Sequence, residues 1–238
     1  MRESHMHANT IENIEDLFIA TRILVNENVL DGFGHVSIRN PSQSDHYFMT
    51  CDNLGEADRE NRIIELNLDN NLCNPNGAKL SLERFIHGEI YRARPDVNAI
   101  VHTHSPALIP FGVSKTPLQP LYHMCGFLAE GAPIFDIQLK HGMTNMLVQS
   151  NELGRSLALS LGKSAVVLMR GHGATIVGSC VKEAVYRAIY LTINANLQPI
   201  AMQLGTPKFL DYEEAVKADE LHSAVLNRPW DYWKSRLK

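Results

Sequence analysis

The chain is 238 residues long, with 45% hydrophobic and 20% charged residues, the composition of a packed protein that needs no disulfide or metal to hold its core. Its 22 basic and 26 acidic residues give a net charge of −4 with no basic cluster, which excludes electrostatically driven nucleic-acid binding. No run approaches the roughly 20 apolar residues of a membrane span, the start is polar, unlike a signal peptide, and Cys51, Cys73, Cys125 and Cys180 form no CxxC pair, so a cytoplasmic protein with reduced thiols is expected.

No repeat, low-complexity tract or linker interrupts the sequence, which reads as one domain over residues 9–238 behind a loose, flexible tail at 1–8. Asn9 and Glu12 have capping-box spacing, and Ile11, Ile14, Leu17, Phe18 and Leu24 recur at helical spacing, predicting an amphipathic helix over about 10–28. Leu30-Asp-Gly-Phe-Gly34 is a turn, after which alternating runs predict strands at 35–39, 47–50 and 63–68. Asn74-Pro-Asn-Gly77 is a further turn. Ser81 then reads as the N-cap of a helix over 82–92 that stops before Pro95. A β-rich run follows at 98–103, with Pro106 near the next helix start. Strands at 132–136 and 164–169 flank a predicted helix over 144–161. A turn at Gly171-His-Gly173, a returning strand at 174–177 and helices over 182–204 and 212–226 complete the pattern, and Pro229-Trp-Asp-Tyr-Trp233 reads as a hydrophobic anchor. The order predicts an α/β fold with helices packed on a single mixed or antiparallel sheet. Neither a GxGxxG turn nor a Walker A loop is present.

Among the 11 histidines three stand out by position. His102 and His104 lie two apart at a strand end, so both imidazoles project to one face and can converge on one cation. His172 closes another apolar strand between glycines that permit a tight turn. Spacing alone leaves open an accidental HxH and an ordinary turn histidine. Glu83, in the first turn of its predicted helix, reads either as an acid favoured by the helix macrodipole or as a base beside a metal. His87, one turn on, is its hydrogen-bond partner or a surface residue, and His5, His7, His46, His141 and His222 read as bystanders.

Taken in order, Gly34-His-Val-Ser37, Ser81-x-Glu83, His102-x-His104-Ser-Pro106 and Gly171-His-Gly173 resemble the class II aldolase/adducin family over about residues 10–205. The resemblance implies a single three-layer α/β/α domain around a mixed, largely antiparallel sheet, assembled as a homotetramer with its sites at subunit interfaces. It also implies one divalent metal ion per subunit (Zn2+, Mn2+, Fe2+ or Co2+) on His102, His104 and His172, with Glu83 as the catalytic carboxylate. Sugar-phosphate aldolases of the family carry Gly-Asn, Thr-Gly-Ser-like residues and paired serines where this chain has Gly34-His35, Thr50-Cys51 and Leu80-Ser81. Those groups cradle a phosphate. A phosphorylated substrate is therefore not expected.

The stretch from Glu83 to His102, Tyr122-His-Met-x-Gly-Phe-Leu128, Pro133-Ile-Phe-Asp136 and Leu168-Met-Arg-Gly-His-Gly-Ala174 resemble the decarboxylase branch of the family. Enzymes of that branch act on hydroxylated dicarboxy-pyridines, dihydroxyphthalates and carboxylated muconic semialdehydes. The resemblance implies a carboxy-lyase for a small hydroxy-carboxylic acid of aromatic catabolism, in which the metal stabilises the enolate left as CO2 departs. Glu83, in acid form or through a water it orients, would return a proton, and a neighbouring substrate carboxylate is expected to raise its pKa. Arg39 and Arg84 are candidate carboxylate clamps or plain surface ion pairs, and His35, Ser37 and Ser81 are further substrate-binding candidates. Tyr122 and His123 are candidate catalytic residues in a neighbour's site, or interface packing. The alternatives are an aldolase or epimerase of a small unphosphorylated sugar acid, an Fe(II)-dependent oxygenase, and a non-catalytic scaffold like the adducin head. No nucleic-acid or membrane partner is expected.

Overall fold

The computed structural model describes residues 2–50, 63–74 and 80–237, with side chains from residue 14 onward. Cys51 and most of the turn read at 74–77 lie outside the described residues. The described strands are β1 (His35–Arg39), β2 (His46–Thr50), β3 (Ile63–Asn67), β4 (Ala99–Thr103), β5 (Ile134–Phe135), β6 (Val166–Met169) and β7 (Gly173–Gly178). They form a single sheet in the order β3-β2-β1-β4-β7-β6-β5, antiparallel throughout except where β5 meets β6.

Side chains alternate across each strand, and both faces of this sheet are covered. Val36, Ile38, Ala99, Val101, Ala174 and Ile176 belong to one apolar layer, shared with α1 (Arg2–Asn26), α6 (Val181–Leu204) and α8 (Asn227–Ser235). Tyr47, Met49, Ile100, Val167, Met169 and Val177 belong to the other, shared with α2 (Arg84–Ala93) and α5 (Asn151–Leu161). Burying each Val, Ile or Met among them contributes about 1.5–3 kcal/mol, so two filled layers hold the sheet on both sides. The result is three layers, α/β/α. The same alternation places His35, Ser37 and His102 on the α2 face.

Several boundaries differ from the sequence reading. α1 starts at Arg2, so the stretch read as a tail continues into the helix and Asn9 lies inside it, not at its cap. α2 starts at Arg84, two residues after the predicted start, with Glu83 at the N-cap position. The helix predicted over 144–161 is only α5, because the Ser150 side chain caps it by accepting the Leu153 N–H at 3.2 Å. Three shorter helices, α3 (Ile109–Val113), α4 (Ile137–His141) and a 3-10 helix at His123–Leu128, lie in connections, and α7 (Tyr212–Ser223) ends before α8 begins. α8 is the element the sequence showed only as an anchor: Trp230 and Trp233 are both buried. No helix among the described residues is long and apolar enough to cross a membrane.

Candidate active site

β4 and β7 run antiparallel with Thr103 opposite Ala174, so the end of one strand meets the start of the other. That register brings His102 and His104 to His172. The turn into β7 is tight: Gly171 has φ 63°, and a Cβ on Gly173 would strike the Thr103 carbonyl. Across from this corner, Ser81 Oγ accepts the Glu83 N–H at 3.3 Å, forming the turn that leads into α2. The Glu83 carboxylate makes no cap bond to its own helix. It faces the histidines instead, with Oε1 accepting the Val148 N–H at 2.9 Å and Oε2 lying 3.3 Å from His172 Nε2 and 3.6 Å from His102 Nε2.

The three imidazoles present the same atom to a common centre. His104 Nε2 is 3.1 Å from His102 Nε2 and 3.1 Å from His172 Nε2. Each Nδ1 is engaged on the far side: His104 with Asp31 Oδ1 at 3.2 Å, His172 with the Met146 carbonyl at 3.1 Å, His102 with Thr175 Oγ1 at 3.3 Å. A carboxylate and a carbonyl only accept, so His104 and His172 carry their protons on Nδ1. Their Nε2 atoms face each other and Glu83, so a proton or a cation must lie between them. Three imidazoles and a carboxylate, with ligand atoms all within 4.8 Å of one another, are a donor set that fits a divalent ion.

Electrostatics bears on the charge of Glu83. Burial works to raise the Glu83 pKa, but hydrogen bonds and charge from His102 and His172 outweigh it and hold the carboxyl well below its usual range. The same carboxylate lifts His172 despite its burial, while burial keeps His102 low. The protein groups around Glu83 thus favour its carboxylate form.

His35 stands opposite His102 in register, with ring centroids 4.9 Å apart. From it a buried chain of contacts runs inward: His35 Nδ1 to His87 Nε2 at 2.7 Å, His87 Nδ1 to Ser37 Oγ at 2.6 Å, Ser37 Oγ to the Tyr91 hydroxyl at 2.8 Å. His35 Nε2 is buried and has no hydrogen-bond partner. Burial, then neighbouring imidazoles, push His35 well below the usual range, and burial with His102 nearby pushes His87 down to about 3.

Other expected site residues lie elsewhere. Arg39 points to the far end of β1, where it donates to the carbonyls of Val97, Ser44, Tyr91 and Arg94 at 2.7–3.1 Å. It is a brace between loops, and a substrate carboxylate would have to displace backbone acceptors. Arg84 donates to the Asn70 and Ser81 carbonyls at 2.9 and 3.0 Å and covers the Phe85 ring, bracing the Ser81 turn. Tyr122 and His123 pack near Tyr190 and His222, with no bond to the Glu83 cluster among the described residues. Conversely, Asp31, Thr175, Tyr91 and the backbone groups of Met146 and Val148 were missed. Only Asp31 carried a signal, as a carboxylate in an Asp-Gly turn.

Residues 15–198 match the sequence profile of the Class II Aldolase and Adducin N-terminal domain. The chain belongs to the class II aldolase and adducin family. It is 35% identical over 235 residues to decarboxylase tropJ of Talaromyces stipitatus, covering 89% of this chain and 88% of that one. It is 27% identical over 201 residues to the 3,4-dihydroxyphthalate decarboxylase of Arthrobacter keyseri, covering 77% and 76%. In fold it is similar to L-fuculose 1-phosphate aldolase from Glaciozyma antarctica, with a TM-score of 0.77 at 21% identity over 98% of this chain and 90% of that one. Class II aldolases use a divalent metal, and in this member Glu83, His102, His104 and His172 are the residues that could hold it.

Proposed function

We propose that the chain is a divalent-metal-dependent decarboxylase of a hydroxylated aromatic or ring-cleaved carboxylic acid. That it is an enzyme of the carboxy-lyase kind rests on its decarboxylase relatives. The observation that carries the metal dependence is the convergence of three Nε2 atoms on Glu83 while each Nδ1 is engaged behind. When bound, a divalent ion supplies Lewis-acid stabilisation of the oxygen on which charge collects as CO2 leaves.

The remaining work falls to protein groups. Val148 N–H and the two histidines fix the Glu83 carboxylate, and an ionised Glu83 orients the water that returns a proton to the carbanion. Phe33, 81% exposed on the glycine turn and edge-on to His104 at 6.4 Å, offers an apolar wall to an aromatic or conjugated acid. With Arg39 committed to backbone carbonyls, the anion is attracted chiefly by the metal centre, and Tyr122 and His123 would serve a neighbouring subunit's site in a homotetramer. Incubating metal-loaded protein with dihydroxyphthalates and carboxylated hydroxymuconic semialdehydes is expected to release CO2. An aldehyde product would favour the aldolase reading, and Fe2+-dependent oxygen uptake the oxygenase reading.

A further inference from the structure

Outside the Glu83 cluster, a second group of metal-ligating side chains comes together at the other end of the sheet. His46 opens β2, and Glu65 lies on the neighbouring β3, diagonal to it on the same face. After β3 the chain doubles back: Leu72 bridges to Leu66, and the Cys73 N–H bonds to the Glu65 carbonyl at 2.9 Å. This places the Cys73 thiol beside the other two. His46 Nδ1 is 3.1 Å from Glu65 Oε1 and 3.5 Å from Cys73 Sγ, and the three ligand atoms lie within 4.8 Å of one another. His46, read from sequence as a surface bystander, is 18% exposed in its side chain and Glu65 23%.

We propose that His46, Glu65 and Cys73 form a second divalent-metal site, suited to Zn2+ by its mixed nitrogen, oxygen and sulfur ligands, with the fourth position open to water. The spacing supports it. Tetrahedral Zn2+ with bonds of about 2.0–2.1 Å to N, 2.0–2.2 Å to O and 2.3 Å to S sets N···O near roughly 3.4 Å and N···S near roughly 3.6 Å. The separations at His46 Nδ1 fall close to both. His46 Nδ1 faces Glu65 and Cys73 together, and a metal ion would engage all three. The surroundings also fit a ligand set. Asn40 Nδ2 donates to Glu65 Oε1 at 2.8 Å, and the Gln43 amide sits 2.9 Å from His46 Nε2. Turned end for end, that amide accepts the Nε2–H and leaves Nδ1 for the metal. Binding would release the thiol proton to solvent and tie the start of β2, β3 and the returning segment together.

Titrating metal-stripped, full-length protein with Co2+ separates the two sites, because the Glu83 cluster has no thiol among the described residues. Two ions per chain are expected, one of them giving a near-ultraviolet thiolate-to-cobalt charge-transfer band. Cys73→Ser should lose that band and one ion, and Glu65→Gln should weaken it. His104→Ala should keep the band while losing the ion at the Glu83 cluster. Absence of the band in the unaltered protein, or a band undiminished in Cys73→Ser, would overturn the proposal. A second measurement needs no variant: Zn2+ should slow alkylation of Cys73 and leave that of the exposed Cys180 unchanged, and equal Cys73 rates with and without Zn2+ would contradict it.

Discussion

Asp31 shows how much of the candidate metal centre would rest on residues that do not face the shared Nε2 atoms. Its carboxylate fixes the His104 tautomer, while the Phe33 and Gly34 N–H groups hold that carboxylate in the turn at 3.0 and 2.9 Å. Removing such a partner typically weakens metal affinity 10–100-fold, so Asp31→Ala should lose metal by about that factor in a competition titration with a chelator, its fold retained. His87 makes a separate demand, on stability. Burial holds it at about 3 in the folded chain against an ordinary 6.5. As pH falls below 6.5 the unfolded chain takes up this proton first. The stability present above that pH is therefore lost progressively toward pH 3, at about 1.4 kcal/mol per pH unit for one such group. Denaturant midpoints should fall between pH 7 and pH 5, and fall less in His87→Gln.

At the scale of elements, the strands and the two glycine turns of the site were legible and the loop before α5 was not. Alternation marks 35–39 without ambiguity, because Val36 and Ile38 enter one apolar layer while His35, Ser37 and Arg39 face away from it. The helix expected over 144–161 fails at its first turns for a reason local propensity does not contain. Met146 sits at φ 71° and presents its carbonyl to His172, while Val148 turns its N–H to Glu83. Those backbone groups are spent on the site, not on a helix, and backbone contacts leave no residue-type signature. The clustering of His102, His104 and His172 was visible because a strand end and a glycine turn each have a spacing; the Arg39 contacts were not, because a guanidinium suits backbone carbonyls as well as carboxylates. The β7 turn supplies an element-scale prediction. Gly173→Ala drives a Cβ into the Thr103 carbonyl, so it should destabilise the fold by more than 1 kcal/mol, roughly the scale of strained glycine replacements, and displace His172. Thermal unfolding and metal stoichiometry should fall together in this variant.

Across the whole molecule, helices on both faces keep the sheet dry and leave chemistry to its ends. The Glu83 cluster occupies one such end, where β4 and β7 meet, while Tyr122 and His123 lie among α6, α7 and α8. If subunits complete one another's sites, mixing inactive Glu83→Gln chains with impaired His123→Ala chains should restore part of the activity after subunit exchange, and sedimentation should show a tetramer. Activity no higher than the mean of the two parents would place His123 in packing alone. On the proposed function, the net charge of −4 adds that an anionic substrate depends on local positive charge, which an ion at the Glu83 cluster would supply. Carbon dioxide is therefore expected to leave only when the Glu83, His102, His104 and His172 cluster holds an ion. The direct test is CO2 release from carboxyl-labelled dihydroxyphthalates and carboxylated hydroxymuconic semialdehydes, by the same preparation stripped with a chelator and then reloaded with Zn2+, Mn2+, Fe2+ or Co2+. Release is expected on reloading with at least one of these ions, and none from the stripped protein or from His104→Ala. Release that survives complete metal removal, or no release from any substrate with any ion, would contradict it.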